Sequence, residues 1–359
     1  MSKAKPMTIA AVSSTLGAGL ALLYSTPANE KESVNIPTPQ SKSLPSPDEG
    51  LVILPNALTE NNTTTAAIQE KTPPPVSPIG ILKYGNPGPI NDKITAISLH
   101  GAYDRRTRNP YWVAEHLTRD SVSSVIGRRK NNFRQDPSIP ATFRARVSDY
   151  SKSGYDRGHQ VPANSARWSQ EAVDETFKMS NMCPQVGEGF NMHYWAYLED
   201  FCRNLTSRYP SVRVITGPLY LPAKGEDGKW RVSYEVIGQQ SAGSGSKDKD
   251  EEPLPNVAVP THFYKIIFGE EENDDHRIGG QVAVGAFVLP NARIANDRDL
   301  GDFEVALDNV ERASGLEFAQ ELKSSQRRRL CEEVKCDLKV KDFSDAVEDV
   351  TGLMAGAKI

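Results

Sequence analysis

Two short stretches constrain this chain more than anything else in it: Asp156-Arg157-Gly158-His159, and the run from Gly189 to Glu199 that places Asn191 and Glu199 eight residues apart. For both to serve one reaction, the fold must set an extended tetrapeptide against the opening of a helix some thirty residues downstream. Phosphodiester hydrolysis requires a base for water, neutralisation of charge on the non-bridging oxygens, and stabilisation of the departing 3′ oxygen. His159 suits the first, because an imidazole with an ordinary pKa near ~6.5 takes a proton at neutral pH. Arg157 presents a planar fork matched to phosphate oxygens. Gly158, having no side chain, is expected to leave room for the substrate backbone.

Asn191 is the candidate ligand for a hard metal. Magnesium takes oxygen donors in near-octahedral geometry and retains several waters, so one protein ligand suffices once substrate phosphate contributes others. Tyr194, Trp195, Leu198, Phe201 and Cys202 are spaced as one stripe of an amphipathic helix. On it Asn191, Leu198 and Glu199 share roughly one face. Glu199 then lies about two turns beyond Asn191, placed to hold a metal-bound water. Each residue has a plainer reading: His159 as a packing residue, Asn191 as a helix N-cap, Glu199 as a solvated helix charge.

The set resembles the DNA/RNA non-specific endonucleases, built on the ββα-metal (His-Me) finger, and most closely the fungal-type mitochondrial endonuclease G branch. Leu82-Lys83-Tyr84-Gly85, Tyr103-Asp104-Arg105-Arg106-Thr107-Arg108-Asn109-Pro110, Met179-Ser180-Asn181-Met182-Cys183-Pro184-Gln185, Ile215-Thr216-Gly217-Pro218 and Thr261-His262-Phe263-Tyr264-Lys265 carry the likeness through the chain. It implies an α+β nuclease fold with a central, mainly antiparallel sheet flanked by helices. By position it implies His159 as general base, Asn191 as direct magnesium ligand, Glu199 as a ligand through water, and Arg157 and Arg108 as phosphate-contacting arginines. It further implies Mg2+ with Mn2+ as substitute, homodimers, and mitochondrial nucleic-acid turnover with nuclear relocation in programmed cell death. Residues 121–132 look diverged from the family and 238–256 read as an insertion.

The overall charge of −4 sits oddly with a polyanion substrate. Its distribution resolves this: between Tyr103 and Arg167 there are thirteen lysines and arginines against six acidic residues. A basic stretch that contains the candidate motif is the expected electrostatic footprint. The acidic runs 248–252 and 270–275 read as solubilising surface loops. No base-reading module is visible, so contacts to phosphate and sugar in both DNA and RNA are expected.

Residues 7–24 form an apolar run behind Lys3 and Lys5, at the lower limit for a spanning helix and equally suited to a secretory signal. The resemblance favours a mitochondrial targeting or inner-membrane anchor segment over residues 1–24, facing the intermembrane space. Residues 25–78, rich in Pro, Ser and Thr, read as a disordered tether. The endonuclease domain is expected over 79–320 and a charged helical extension over 321–359. Cys331 and Cys336 are close enough to pair around a short loop, and Cys183 and Cys202 read as packing residues.

Residues 93–99, 212–215, 230–237, 262–268 and 280–289 are expected as strands. Residues 110–118, 191–205, 306–315 and 317–338 are expected as helices. Two rival functions remain: a nucleic-acid-binding protein without turnover, and a secreted scavenging nuclease with the same chemistry.

Overall fold

The structure, a computed structural model, describes residues 75–76, 80–85, 92–238, 256–272 and 280–340. The expected targeting segment, nearly all of the tether, the acidic run 248–252 and residues 341–359 lie outside these. Among the described residues no helix is long and apolar enough to cross a membrane.

A seven-stranded sheet forms the centre, in the order β1 (Asp92–Thr95), β2 (His100–Asp104), β3 (Asn109–Leu117), β6 (Ser211–Leu219), β11 (His262–Glu270), β12 (Val282–Pro290) and β13 (Arg327–Arg329). Every pairing is antiparallel except β12 with β13. The central strands are apolar on both faces because both are covered. After the short helices α1 (Arg119–Ser123) and α2 (Gln170–Thr176) comes α3 (Trp195–Asn204); Val212, Val214, Phe263 and Ile267 pack under it, and its Trp195, Leu198 and Phe201 complete that core. Ile215, Tyr264, Ile266 and Phe268 point the other way, into a core closed by Val310 of α4 (Leu307–Ser314). The period-two alternation of side chains therefore serves two cores at once.

Two expected helices are not helices. Residues 110–117 belong to β3, buried along nearly its whole length, and Thr118 caps the short helix that follows. A continuous apolar run does not separate a two-face-buried strand from a helix by periodicity, and Pro110 is accommodated because it pairs with Tyr103 at an irregularity in the β2–β3 ladder. Residues 317–338 contain β13 and the short α5 (Leu330–Glu333) instead of one helix. Three arginines in a row are tolerated in β13 because it is an edge strand, and Arg329 finds Glu304 at 2.6 Å. A disulfide joins Cys331 and Cys336, while Cys183 and Cys202 are buried free thiols. The strand expected over 230–237 is realised only at its ends, as β8 (Trp230–Arg231), paired with β7 (Ala223–Lys224), and β9 (Val236–Ile237), paired with β10 (Val257–Ala258). Glu270, expected in a surface loop, instead ends β11 as a buried carboxylate between Lys83 and Arg213.

On the α3 side of the sheet, β4 (Asp156–His159) pairs antiparallel with β5 (Met182–Gln185). The chain then enters the helical segment Gly187–Tyr194, which runs into α3. Two short strands followed by a helix make a ββα finger, whose helix is anchored in the core by its apolar stripe.

Candidate active site

Alternation along β4 puts Arg157 and His159 on one side and Asp156 and Gly158 on the other. The first pair shares an aromatic bed. The Arg157 guanidinium lies 4.5 Å from the centre of the Phe133 ring, and the His159 ring lies 5.7 Å from Phe133 and 4.8 Å from Phe177. Phe133 and Phe177 meet edge to face at 5.0 Å, so the two rings form one wall. The contact holds the guanidinium against the Phe133 ring, and its Nε is buried there with no hydrogen-bond partner among the described residues. Neither phenylalanine stands out in the sequence; the only signal is an aromatic residue embedded in the basic stretch.

His159 is buried, and burial first, then the nearby charge of Arg129, pulls its pKa down to about 3. The imidazole is therefore neutral at physiological pH, the protonation state from which a base starts. Its Nε2 is sealed from solvent, which makes Nδ1 the nitrogen available to water.

Gly158 has a different duty from the one expected. A Cβ at this position would fall 2.0 Å from Gln185 Oε1, so the missing side chain makes room for the Gln185 amide across the β4–β5 pair rather than for substrate.

The other side of β4 reaches the helix. Asn191 Nδ2 donates to Asp156 Oδ2 at 2.9 Å. Asn191 is no N-cap: its side chain is spent on Asp156, and its backbone N–H donates to the Val186 carbonyl five residues back, at 2.9 Å, across a bend at Glu188 and Gly189 whose backbone is not helical. The entry is set by Gly189, whose φ of +81° suits glycine and whose Cα is overlain by the Arg293 side chain. With Nδ2 committed to Asp156, the carboxamide is oriented, and among the described residues no donor reaches its Oδ1.

Glu199, on α3, is not a freely solvated helix charge. Burial pushes its pKa up to about 7 against the opposing charges of Lys265 and Arg203. Lys265 itself is fully buried on β11, donates to Thr216 Oγ1 at 2.8 Å, and sits 4.7 Å from the Trp195 ring at the start of α3. A third buried carboxyl, Glu115 on β3, also faces Lys265, and burial raises its pKa. One lysine thus serves two carboxyls beneath the finger.

The structure brings His159, Arg157 and Asn191 onto one finger, with Glu199 farther along the same helix. Asp156 and His159 are three residues apart, about 10 Å along an extended strand. Arg108 is placed separately, in the turn after β2, with φ of +56° and Nη1 donating to the Arg144 carbonyl at 3.3 Å. Among the described residues it forms no hydrogen bond with the other four. Its neighbour Arg105 pairs with Asp92, and Arg106 is exposed.

The donor set suits a hard divalent cation: a pre-oriented amide oxygen, with a carboxyl farther along the same helix. No group of three or more His, Cys, Asp or Glu with metal-holding geometry occurs among the described residues.

Known proteins share this arrangement of strands and helix. Residues 77–325 match the family described as DNA/RNA non-specific endonuclease. The chain is 50% identical over 273 residues to the mitochondrial nuclease of Saccharomyces cerevisiae, covering 76% of this chain and 78% of that protein. It is 40% identical over 240 residues to the mitochondrial endonuclease G of Caenorhabditis elegans, covering 66% and 71%. In a solved structure of an EndoG/EndoGI complex, one chain superposes with a TM-score of 0.62 at 43% identity, covering 71% of this chain and 99% of that one.

Proposed function

Because the chain belongs to the DNA/RNA non-specific endonuclease family, we propose that it cleaves DNA and RNA through His159, Arg157, Asn191, Glu199 and Arg108, with Mg2+ as its ion. It is a metal-dependent phosphodiester hydrolase of mitochondria. The single observation that carries the site reading is the Asp156–Asn191 hydrogen bond, which hangs an oriented carboxamide on the strand that ends in His159.

His159 takes a proton from water through Nδ1, which its neutral state permits. Arg157, stiffened against Phe133, grips a non-bridging oxygen of the scissile phosphate, and Arg108 holds phosphate from the turn after β2. Asn191 would hold the ion through Oδ1 and Glu199 through water. When bound, a divalent ion supplies Lewis-acid neutralisation of charge on the phosphate and the leaving oxygen. Mn2+ offers similar oxygen-preferring chemistry and is the expected substitute. The products are 5′-phosphate and 3′-hydroxyl ends.

Contacts to backbone rather than bases account for acceptance of both nucleic acids. Targeting by residues 1–24, anchoring by residues 7–24, a tether over 25–78, an endonuclease domain over 79–320 with an extension to 359, and relocation to the nucleus in programmed cell death belong to the same reading. So does a homodimer. In its support, Trp230, Val232, Tyr234 and Val236 expose an alternating apolar row, 37% to 53% accessible, beside a concavity lined by Tyr111, Pro218 and Tyr220.

The test is supercoiled plasmid incubated with the purified protein and Mg2+. Nicked and linear products are expected, and His159→Ala should slow their formation by about 10² to 10⁴. A mobility shift with no cleavage by the unaltered protein would instead favour binding without turnover.

A further inference from the structure

The segment leading into Phe133 is built in an uncommon way. Val125 and Ile126 are 63% and 73% exposed, and Arg128, Arg129 and Lys130 are all exposed after them. Such a loop would be expected to be slack, yet its backbone is pinned at the centre. Gly127 N–H donates to the Arg167 carbonyl at 2.7 Å, and Arg167 Nε returns a bond to the Gly127 carbonyl at 3.2 Å. Gln170 brackets the next residue, its Oε1 accepting from Arg128 N–H at 3.0 Å and its Nε2 donating to the Arg128 carbonyl at 3.1 Å. Gly127 is pressed so closely to Ser169 that a Cβ would meet its carbonyl oxygen at 2.6 Å.

The side chains are not spent on internal contacts. Among the described residues no carboxylate lies within ion-pair distance of Arg128, Arg129 or Lys130. Leaving three adjacent cations unpaired raises local repulsion without structural return, so a polyanion is the natural complement. The loop also sits beside the chemistry: Phe133, only four residues past Arg129, touches both His159 and Arg157.

We infer that residues 125–130 form a grip on the polynucleotide just outside the scissile phosphate. Arg128, Arg129 and Lys130 hold backbone phosphates, and Val125 and Ile126 pack on the sugar edges of the groove between them. Held backbone and free side chains suit this task, since the loop needs no ordering on binding and the cations keep their reach. Aliphatic residues against sugars and base edges add affinity that salt does not screen. This inference rests on the nuclease reading above, and adds a flanking contact that none of the five catalytic candidates supplies.

The experiment measures equilibrium binding to a duplex of about twenty base pairs, against salt concentration, in a His159→Ala background without divalent ion, with the duplex checked intact after each measurement. Adding R128A, R129A and K130A together should lower the slope of log Kd against log salt by up to about three, near one for each phosphate no longer neutralised. Adding V125S and I126S should weaken binding several-fold at every salt concentration while leaving the slope in place. An unchanged slope with the three cations removed overturns the grip, and unchanged affinity with the aliphatic pair removed overturns its share of it. Vesicles of phosphatidylcholine with anionic phospholipid are titrated in parallel. Loss of vesicle binding with the duplex slope intact would assign the loop to a membrane and overturn the inference. Plasmid cleavage by the unaltered protein is scored separately, so failure of the nuclease reading is not confused with failure of the grip.

Discussion

Asp156 Oδ2 accepts a hydrogen bond from Asn191 Nδ2 at 2.9 Å, across 35 residues of sequence. The bond ties the strand carrying His159 to the opening turn of the finger helix and decides which end of the carboxamide faces outward. Outer partners of metal ligands commonly change metal affinity by about 10- to 100-fold when removed. Asp156→Ala should raise the Mg2+ concentration needed for half-maximal cleavage by that order. A metal titration superimposable on that of the unaltered protein would show that Asn191 needs no orienting partner.

Gly158→Ala should be destabilising before it is anything else. The added methyl would overlap Gln185, and overpacking of a closed site costs about 1–3 kcal/mol. Gln185→Ala opens that space, so Tm losses of the two single variants should exceed their combined effect in the double variant. Additive losses would place the strain elsewhere.

Phe133→Ala should reduce kcat/KM by about tenfold or more, because both Arg157 and His159 lose the ring that fixes them. Phe133→Tyr should recover most of it. Equal activity of the alanine variant on plasmid would show that the two side chains are held from their other sides.

The pH dependence of stability has a definite sign. His159 titrates at about 3 in the folded protein and His116, buried beside Arg213 and Lys83, at about 2. An unfolded histidine titrates near ~6.5. Between these values the unfolded chain binds protons that the native protein refuses, so stability is complete above about pH 6.5 and falls as the pH drops towards 3. His159→Gln should flatten the decline of Tm between about pH 6.5 and 4. A decline as steep as that of the unaltered protein would assign the acid sensitivity to other groups.

Lys265→Met should be among the most destabilising single changes. It strips the cation that faces Glu115 and Glu199, and breaking a buried charge arrangement by removing one partner costs about 3–5 kcal/mol. Lys265→Met combined with Glu115→Gln should recover part of the lost Tm. No recovery would mean that Glu115 is not the carboxyl the lysine compensates.

The residue types proposed for the chemistry were legible from the chain alone. His159, Asn191 and Glu199 are recognisable because few side chains offer a neutral-pH base, an uncharged oxygen donor and a carboxylate, and their spacing suits a finger. The apolar stripe of α3, the strands β6, β11 and β12, and the helix α4 were equally readable, since each follows from a local period or from β-branched and aromatic composition. Periodicity failed where a segment is buried on both faces, as in β3, and where an edge strand recruits charged residues, as in β13.

What only the tertiary structure decided are relations between residues distant in sequence. Gly158 yields to Gln185 and not to substrate, Phe133 supports both Arg157 and His159, Asp156 aims Asn191, and Lys265 compensates two carboxyls from a strand in the middle of the sheet. No local pattern encodes these, because a side chain's environment in a packed interior is set by which strands become neighbours. A sequence specifies its available functional groups one residue at a time; their protonation, orientation and reach belong to the assembled fold.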